Sequence, residues 1–137
     1  MDDSNNINQV SAKSQLNGIL IIEDDPVNCK YLKQLLKDIQ TSIFIATNAT
    51  ESRNILSGSP EINLILIDIQ LPDINGLDLA SEFRQLLPNA VILAQTAHTF
   101  IQEEISRSGC NDFINKPILK GTLYRKIEKY FIINQTI

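Results

Sequence analysis

From Gly18 onward, short apolar runs alternate with amphipathic stretches along the chain. The runs at residues 19–22, 43–46, 64–67 and 91–94, with a weaker one at 113–114, have the length and composition of strands. Their alternation with helical patterns is the signature of βαβ units wound around a parallel sheet. The run at 64–67 is apolar at four consecutive positions, as suits a central strand buried on both faces. Five helices are predicted between and after the strands. The first starts after Asp25, an N-cap residue followed by Pro26, and places Val27, Tyr31, Leu35, Leu36 and Ile39 on its core stripe. The second covers 49–57 and ends at Gly58; the third runs from Gly76 to about Leu87 and stops before Pro88. The fourth, near 99–108, has few anchors beyond Phe100, Ile101 and Ile105. In the fifth, Leu119, Leu123, Ile127 and Phe131 recur every fourth residue.

These elements predict a doubly wound α/β three-layer sandwich with five parallel strands and helices on both faces. Residues 1–17 are polar, rich in Asn, Ser and Gln, and predict a leader outside the core; 18–132 form the folded unit and 133–137 a short tail.

Composition narrows the function. A chain of 137 residues fits one domain, and 12 basic against 16 acidic residues give a net charge of −4, which argues against nucleic-acid binding as the main activity. The two cysteines, Cys29 and Cys110, form neither a CxxC motif nor a zinc-type cluster, which fits a reducing, cytoplasmic setting. No apolar run reaches the ~20 residues of a membrane span.

The candidate chemistry lies where parallel sheets collect it, at the carboxyl ends of the strands. Glu23 and Asp24 follow the first strand, Asp68 ends the third, Thr96 lies just past the fourth and Lys116 past the fifth. Each alone has an ordinary explanation as a cap, a turn residue or a strand end. Asp68 is the hardest to explain so, since a carboxylate closing an apolar strand needs partners or a metal. Three converging carboxylates at ~5 Å and an effective dielectric of ~20 repel by about 3 kcal/mol per pair, which a divalent cation relieves. Oxygen-only donors favour a hard ion, Mg²⁺, with Mn²⁺ as a substitute. Such an ion would bridge Asp68 to an incoming phosphoryl group while Lys116 and Thr96 take its other oxygens.

Five motifs now agree in order and spacing: Glu23-Asp24-Asp25-Pro26-Val27-Asn28, Leu66-Ile67-Asp68-Ile69-Gln70-Leu71-Pro72, Gly76, Thr96-Ala97 and Lys116-Pro117. From about Gly18 to Phe131 the chain resembles a receiver domain of the two-component and phosphorelay response regulators, of the type found in hybrid histidine kinases. The resemblance implies a flavodoxin-like fold of strand order 2-1-3-4-5, counting the five predicted strands. It also implies that Asp68 accepts a phosphoryl group from a phosphohistidine on a histidine kinase or phosphotransfer protein. By the same resemblance Glu23, Asp24, Asp68 and the backbone carbonyl of Gln70 hold Mg²⁺, and the Lys116–Pro117 peptide is cis. Thr96 and Phe113 would form the switch, with Phe113 standing where Tyr is commoner. Gln70 and His98, two residues beyond Asp68 and Thr96, would tune the lifetime of the phosphoryl group. The face of the fourth helix, fifth strand and fifth helix would bind a target or a second copy of the chain.

Two other readings fit less well. Phosphatases of the haloacid-dehalogenase type carry a second Asp two residues after the nucleophile, where this chain has Gln70. A pseudo-receiver would keep the fold without the acids and lysine that are present here. No helix-turn-helix or catalytic segment follows Phe131, so the expected output is binding, with no separate turnover substrate, in a stand-alone receiver or one excised from a hybrid kinase.

Overall fold

The strands at 18–22, 64–68 and 91–96 are buried along their whole length, so the sheet must be covered on both sides, and the helices between the strands do so. The computed structural model describes residues 13–58, 60–97 and 102–133. In chain order its elements are β1 (Ser14–Gln15), β2 (Gly18–Ile22), α1 (Pro26–Leu36), β3 (Ser42–Ala46), α2 (Ala49–Ser57), β4 (Leu64–Asp68), α3 (Gly76–Leu86), β5 (Val91–Thr96), α4 (Gln102–Arg107), β6 (Asp112–Asn115), α5 (Lys120–Glu128) and β7 (Phe131–Ile132). The main sheet is parallel with order β3-β2-β4-β5-β6, so β4 is central as expected. Counted without β1, this is the predicted 2-1-3-4-5 arrangement.

Because side chains alternate along a strand, each strand feeds two cores. One face of the sheet packs Ile19, Ile21, Leu64, Leu66 and Leu93 against Leu32 and Leu36 of α1 and Leu123 and Ile127 of α5. The other packs Leu20, Ile22, Ile65, Ile67 and Ile92 against Ala49 of α2, Leu79 and Phe83 of α3 and Ile105 of α4. Every residue of β2 and β4 is buried. Each such Ile or Leu contributes about 1.5–3 kcal/mol of hydrophobic stabilisation relative to an exposed position. Among the described residues, no helix is long and apolar enough to cross a membrane.

Three expectations need correction. The core stripe of α1 is Cys29, Leu32 and Leu36, continued by Ile39, whereas Val27 is 76% and Tyr31 39% exposed and Leu35 lies at the margin. The segment before Gly18 is not all outside the core: Ser14–Gln15 pairs in parallel with Phe131–Ile132, and Leu16 is buried. Phe131 reaches the core from β7 and not from the fifth helix, which ends at Glu128; Leu119, meant as its first anchor, caps α5 and is 63% exposed. Of the fourth helix, Phe100 and Ile101 lie outside the described residues, and Ile105 is buried.

Candidate functional site

The acids reach the site by backbone register. Ile21 pairs with Leu66 and Ile22 with Ile67, so Glu23, one residue past β2, comes level with Asp68 at the end of β4. Asp25 caps α1 by accepting from the Val27 N–H at 3.0 Å, which turns the chain sharply after the Glu23-Asp24 pair. The loop after β4 returns directly beneath the acceptor. Asn75 caps α3, and a Cβ on Gly76 would lie 2.1 Å from the Asp68 carbonyl oxygen, so only glycine allows this approach.

Carboxylate oxygens of Glu23, Asp24 and Asp68 all lie within 4.8 Å of one another. Glu23 is fully buried and Asp68 5% exposed, while Asp24 faces solvent. Burying carboxylates is costly unless donors surround them, and donors do. Lys116 Nζ donates to Asp68 Oδ2 at 2.9 Å and to Glu23 Oε1 at 3.1 Å. The Gln70 N–H donates to Asp68 Oδ1 at 3.0 Å and the Asp25 N–H to Glu23 Oε2 at 3.1 Å. Burial alone would lower the Lys116 pKa, but its hydrogen bonds and charge contacts with Asp68 and Glu23 outweigh that, so the ammonium titrates above an ordinary lysine. One cation still faces three carboxylates. An all-oxygen donor set with surplus negative charge suits a hard divalent ion.

Thr96 closes β5 and is buried, and its carbonyl accepts the Lys116 N–H at 2.8 Å, joining the ends of β5 and β6. The Lys116–Pro117 peptide is cis. Gln70 is exposed, two residues past Asp68. Phe113 stands apart from the acids on β6, half-buried, with Lys126 Nζ 5.8 Å from its ring centroid and 2.9 Å from Asp112 Oδ2. These groups edge a groove that includes Asn115, Pro117 and Leu119. His98 lies outside the described residues.

Both cysteines are free and buried. Burial, and then the nearby charges of Glu23, Asp25 and Asp24, pushes the Cys29 thiol up, so it stays protonated and donates to the Glu23 carbonyl at 3.2 Å.

Two residues at the site carry no role in the sequence reading. Asn28 Nδ2 donates to Glu23 Oε1 and, at 3.4 Å, to Gln95 Oε1. Gln95 extends β5 beyond Ala94, where the predicted strand stops, and is fully buried. Its Nε2 has no hydrogen-bond partner among the described residues, an arrangement costing about 1–3 kcal/mol. The signal was available: a polar side chain interrupting an apolar strand had singled out Asp68 and did so equally for Gln95.

Comparison with known proteins agrees with this geometry. The sequence pattern of response regulator receiver domains matches residues 19–128. Among relatives, hybrid signal transduction histidine kinase L of Dictyostelium discoideum is 29% identical over 84% of this chain, which spans only 7% of that protein's length. A two-component response regulator from Clostridium difficile is 31% identical, with a TM-score of 0.75 over 82% of this chain and 93% of its own. The co-crystal structure of the yeast (Saccharomyces cerevisiae) histidine phosphotransfer signaling protein Ypd1 with the receiver domain of its downstream response regulator Ssk1 gives 27% identity and a TM-score of 0.76. It covers 87% of this chain and 91% of the other. With sheet order, acid cluster, lysine and sequence pattern in agreement, the chain belongs to the response regulator receiver domain family, a family of phosphorelay signalling domains.

Proposed function

We propose that this chain accepts a phosphoryl group from a phosphohistidine onto Asp68 in a Mg²⁺-dependent step and changes its binding surface as a result. The observation that carries the reading is Lys116 Nζ at 2.9 Å from Asp68 Oδ2, beside carboxylates grouped within 4.8 Å. An Asp68 oxygen attacks phosphorus, the P–N bond to the donor imidazole breaks, and the nitrogen keeps the electron pair. Lys116 and the Thr96 hydroxyl take the charge on the phosphoryl oxygens. Glu23, Asp24, Asp68 and the Gln70 carbonyl would hold Mg²⁺, which when bound neutralises charge between acceptor and phosphoryl group. Mn²⁺ serves as a substitute.

The donor is a histidine kinase or a histidine phosphotransfer protein, in keeping with the yeast complex among the structural relatives. Water then cleaves the acyl phosphate, with Gln70 and His98 setting the rate. Thr96 and Phe113 pass the change to the surface of α4, β6 and α5, where a target or second copy binds. The chain has no separate turnover substrate, and the setting is cytoplasmic. It acts as a stand-alone receiver or within a hybrid kinase.

The test is acetyl phosphate with Mg²⁺, followed by intact mass. The expected result is one added phosphoryl group, lost in Asp68→Asn and in chelator. Absence of any adduct in the wild-type chain, or an undiminished one in Asp68→Asn, would falsify the assignment.

A further inference from the structure

Gln95 is the only buried amide side chain among the described residues. In register it stands between Asp68 of β4 and Ile114 of β6, and paired residues on parallel strands point to one face. That face is the one α1 covers, since Leu93, two residues earlier, packs in the same core as Leu32 and Leu36.

The hydrogen bonds run in one direction, set at the anionic end. Glu23 can only accept, so Asn28 turns its NH₂ group toward Oε1 of Glu23. The second hydrogen of that NH₂ group goes to Gln95 Oε1 at 3.4 Å. Gln95 must therefore present its oxygen to Asn28, and its own Nε2 is left unpartnered among the described residues. An apolar side chain would fill this position without a stranded donor, as Leu93 and Val91 do elsewhere on the strand's same face. Packing alone does not account for a glutamine here.

We infer that Gln95 is a positioning residue: it holds the amide of Asn28, and through it the carboxylate of Glu23, in the arrangement by which Glu23, Asp24 and Asp68 share a divalent cation. Two side chains hydrogen-bond the Glu23 carboxylate among the described residues, Asn28 and the part-buried Lys116. Lys116 is itself shared with Asp68, so Asn28 is the partner committed to Glu23 at the acid cluster. The inference rests on the metal role proposed above and concerns how that role is prepared by the sheet.

The experiment uses the full chain, with Mn²⁺ binding followed by the electron paramagnetic resonance of free Mn²⁺ and urea unfolding followed in metal-free buffer. Gln95→Met keeps length and volume while removing the amide. It is expected to bind Mn²⁺ roughly tenfold more weakly, at the low end for an outer partner of a metal ligand, with an unfolding midpoint equal to or above wild type because the stranded donor is gone. Asn28→Ala also weakens binding, and the Asn28→Ala/Gln95→Met double variant is expected to bind no more weakly than Asn28→Ala alone, since Gln95 acts through Asn28. Wild-type affinity in Gln95→Met, additive losses in the double variant, or an affinity loss matched by a lower midpoint would each overturn the inference while leaving the metal role standing. A wild-type chain that takes up no Mn²⁺, or uptake unchanged in Asp24→Asn, overturns the metal role and this inference with it.

Discussion

At β2 and β4 every side chain is buried, and the carboxylates of Glu23 and Asp68 are held by backbone N–H groups, an amide and an ammonium. On the side of the sheet that ends in the edge strand β6, α4 has six described residues with one buried side chain, Ile105, and β6 buries Ile114 while Phe113 is only half covered. Under the proposed function, the difference follows the chemistry asked of each region. Oxygen atoms that meet a phosphoryl group act by preorganisation, which loose packing would undo. A surface that must take two forms needs low local stability, and sparse burial supplies it.

Removing Lys116 should have the largest effect and sharpen the contrast. Lys116→Met is expected to slow acetyl-phosphate labelling roughly a hundredfold to a thousandfold, about 2.7–4 kcal/mol on the barrier, as for loss of one charge-stabilising donor; labelling within threefold of wild type would mean that Lys116 serves only to pair buried acids. Next comes Gly76→Ala, in which the new Cβ meets backbone under the acceptor. Its cost should be about 2–3 kcal/mol in urea unfolding, whereas a cost near zero would show the acceptor loop to be as compliant as the β6 side. The smallest effect belongs to that side: Lys126→Met removes the Asp112 ion pair and the contact with the Phe113 ring, for about 0.5–1 kcal/mol. Hydrogen exchange on the same samples tests the contrast as a whole. Amides of α4 should exchange well before those of β2 and β4 in wild type, and equal protection would break the comparison.

Much of this was legible in the sequence because it depends on local rules. All five main strands lie within two residues of their apolar runs, and α2 begins and ends where Asn48 and Gly58 place it. Asp68, Glu23, Asp24 and Lys116 were found because charged residues beside apolar runs are costly and therefore conspicuous. What escaped depends on tertiary context. The α1 stripe was read along Val27, Tyr31 and Leu35, but Cys29 counts as a core residue once buried, and Tyr31 instead spends its hydroxyl on the Ile118 carbonyl. β1 and β7 are two residues each and have no period to read; they exist because Ser14–Gln15 and Phe131–Ile132 pair with each other. Phe131 kept a helical spacing from Ile127 although α5 had ended. Asn28 and Gln95 went unassigned because a hydrogen-bond chain across a helix and a strand leaves no sequence interval.

Arg84 lies at the other end of the sheet from the acids. Its guanidinium donates to the carbonyls of Leu87, Pro88, Ala90 and Gly109 and to Asn111 Oδ1, and Asn111 Oδ1 also accepts the Ile92 N–H at 2.8 Å. Those groups sit at the entries to β5 and β6. In mechanical terms the two strands are cantilevers soldered at the root, and Thr96 and Lys116 are at the tips. A load at the tips, which the Lys116 N–H to Thr96 carbonyl hydrogen bond joins, would bend the pair and not slide it, keeping β5 in register with β4.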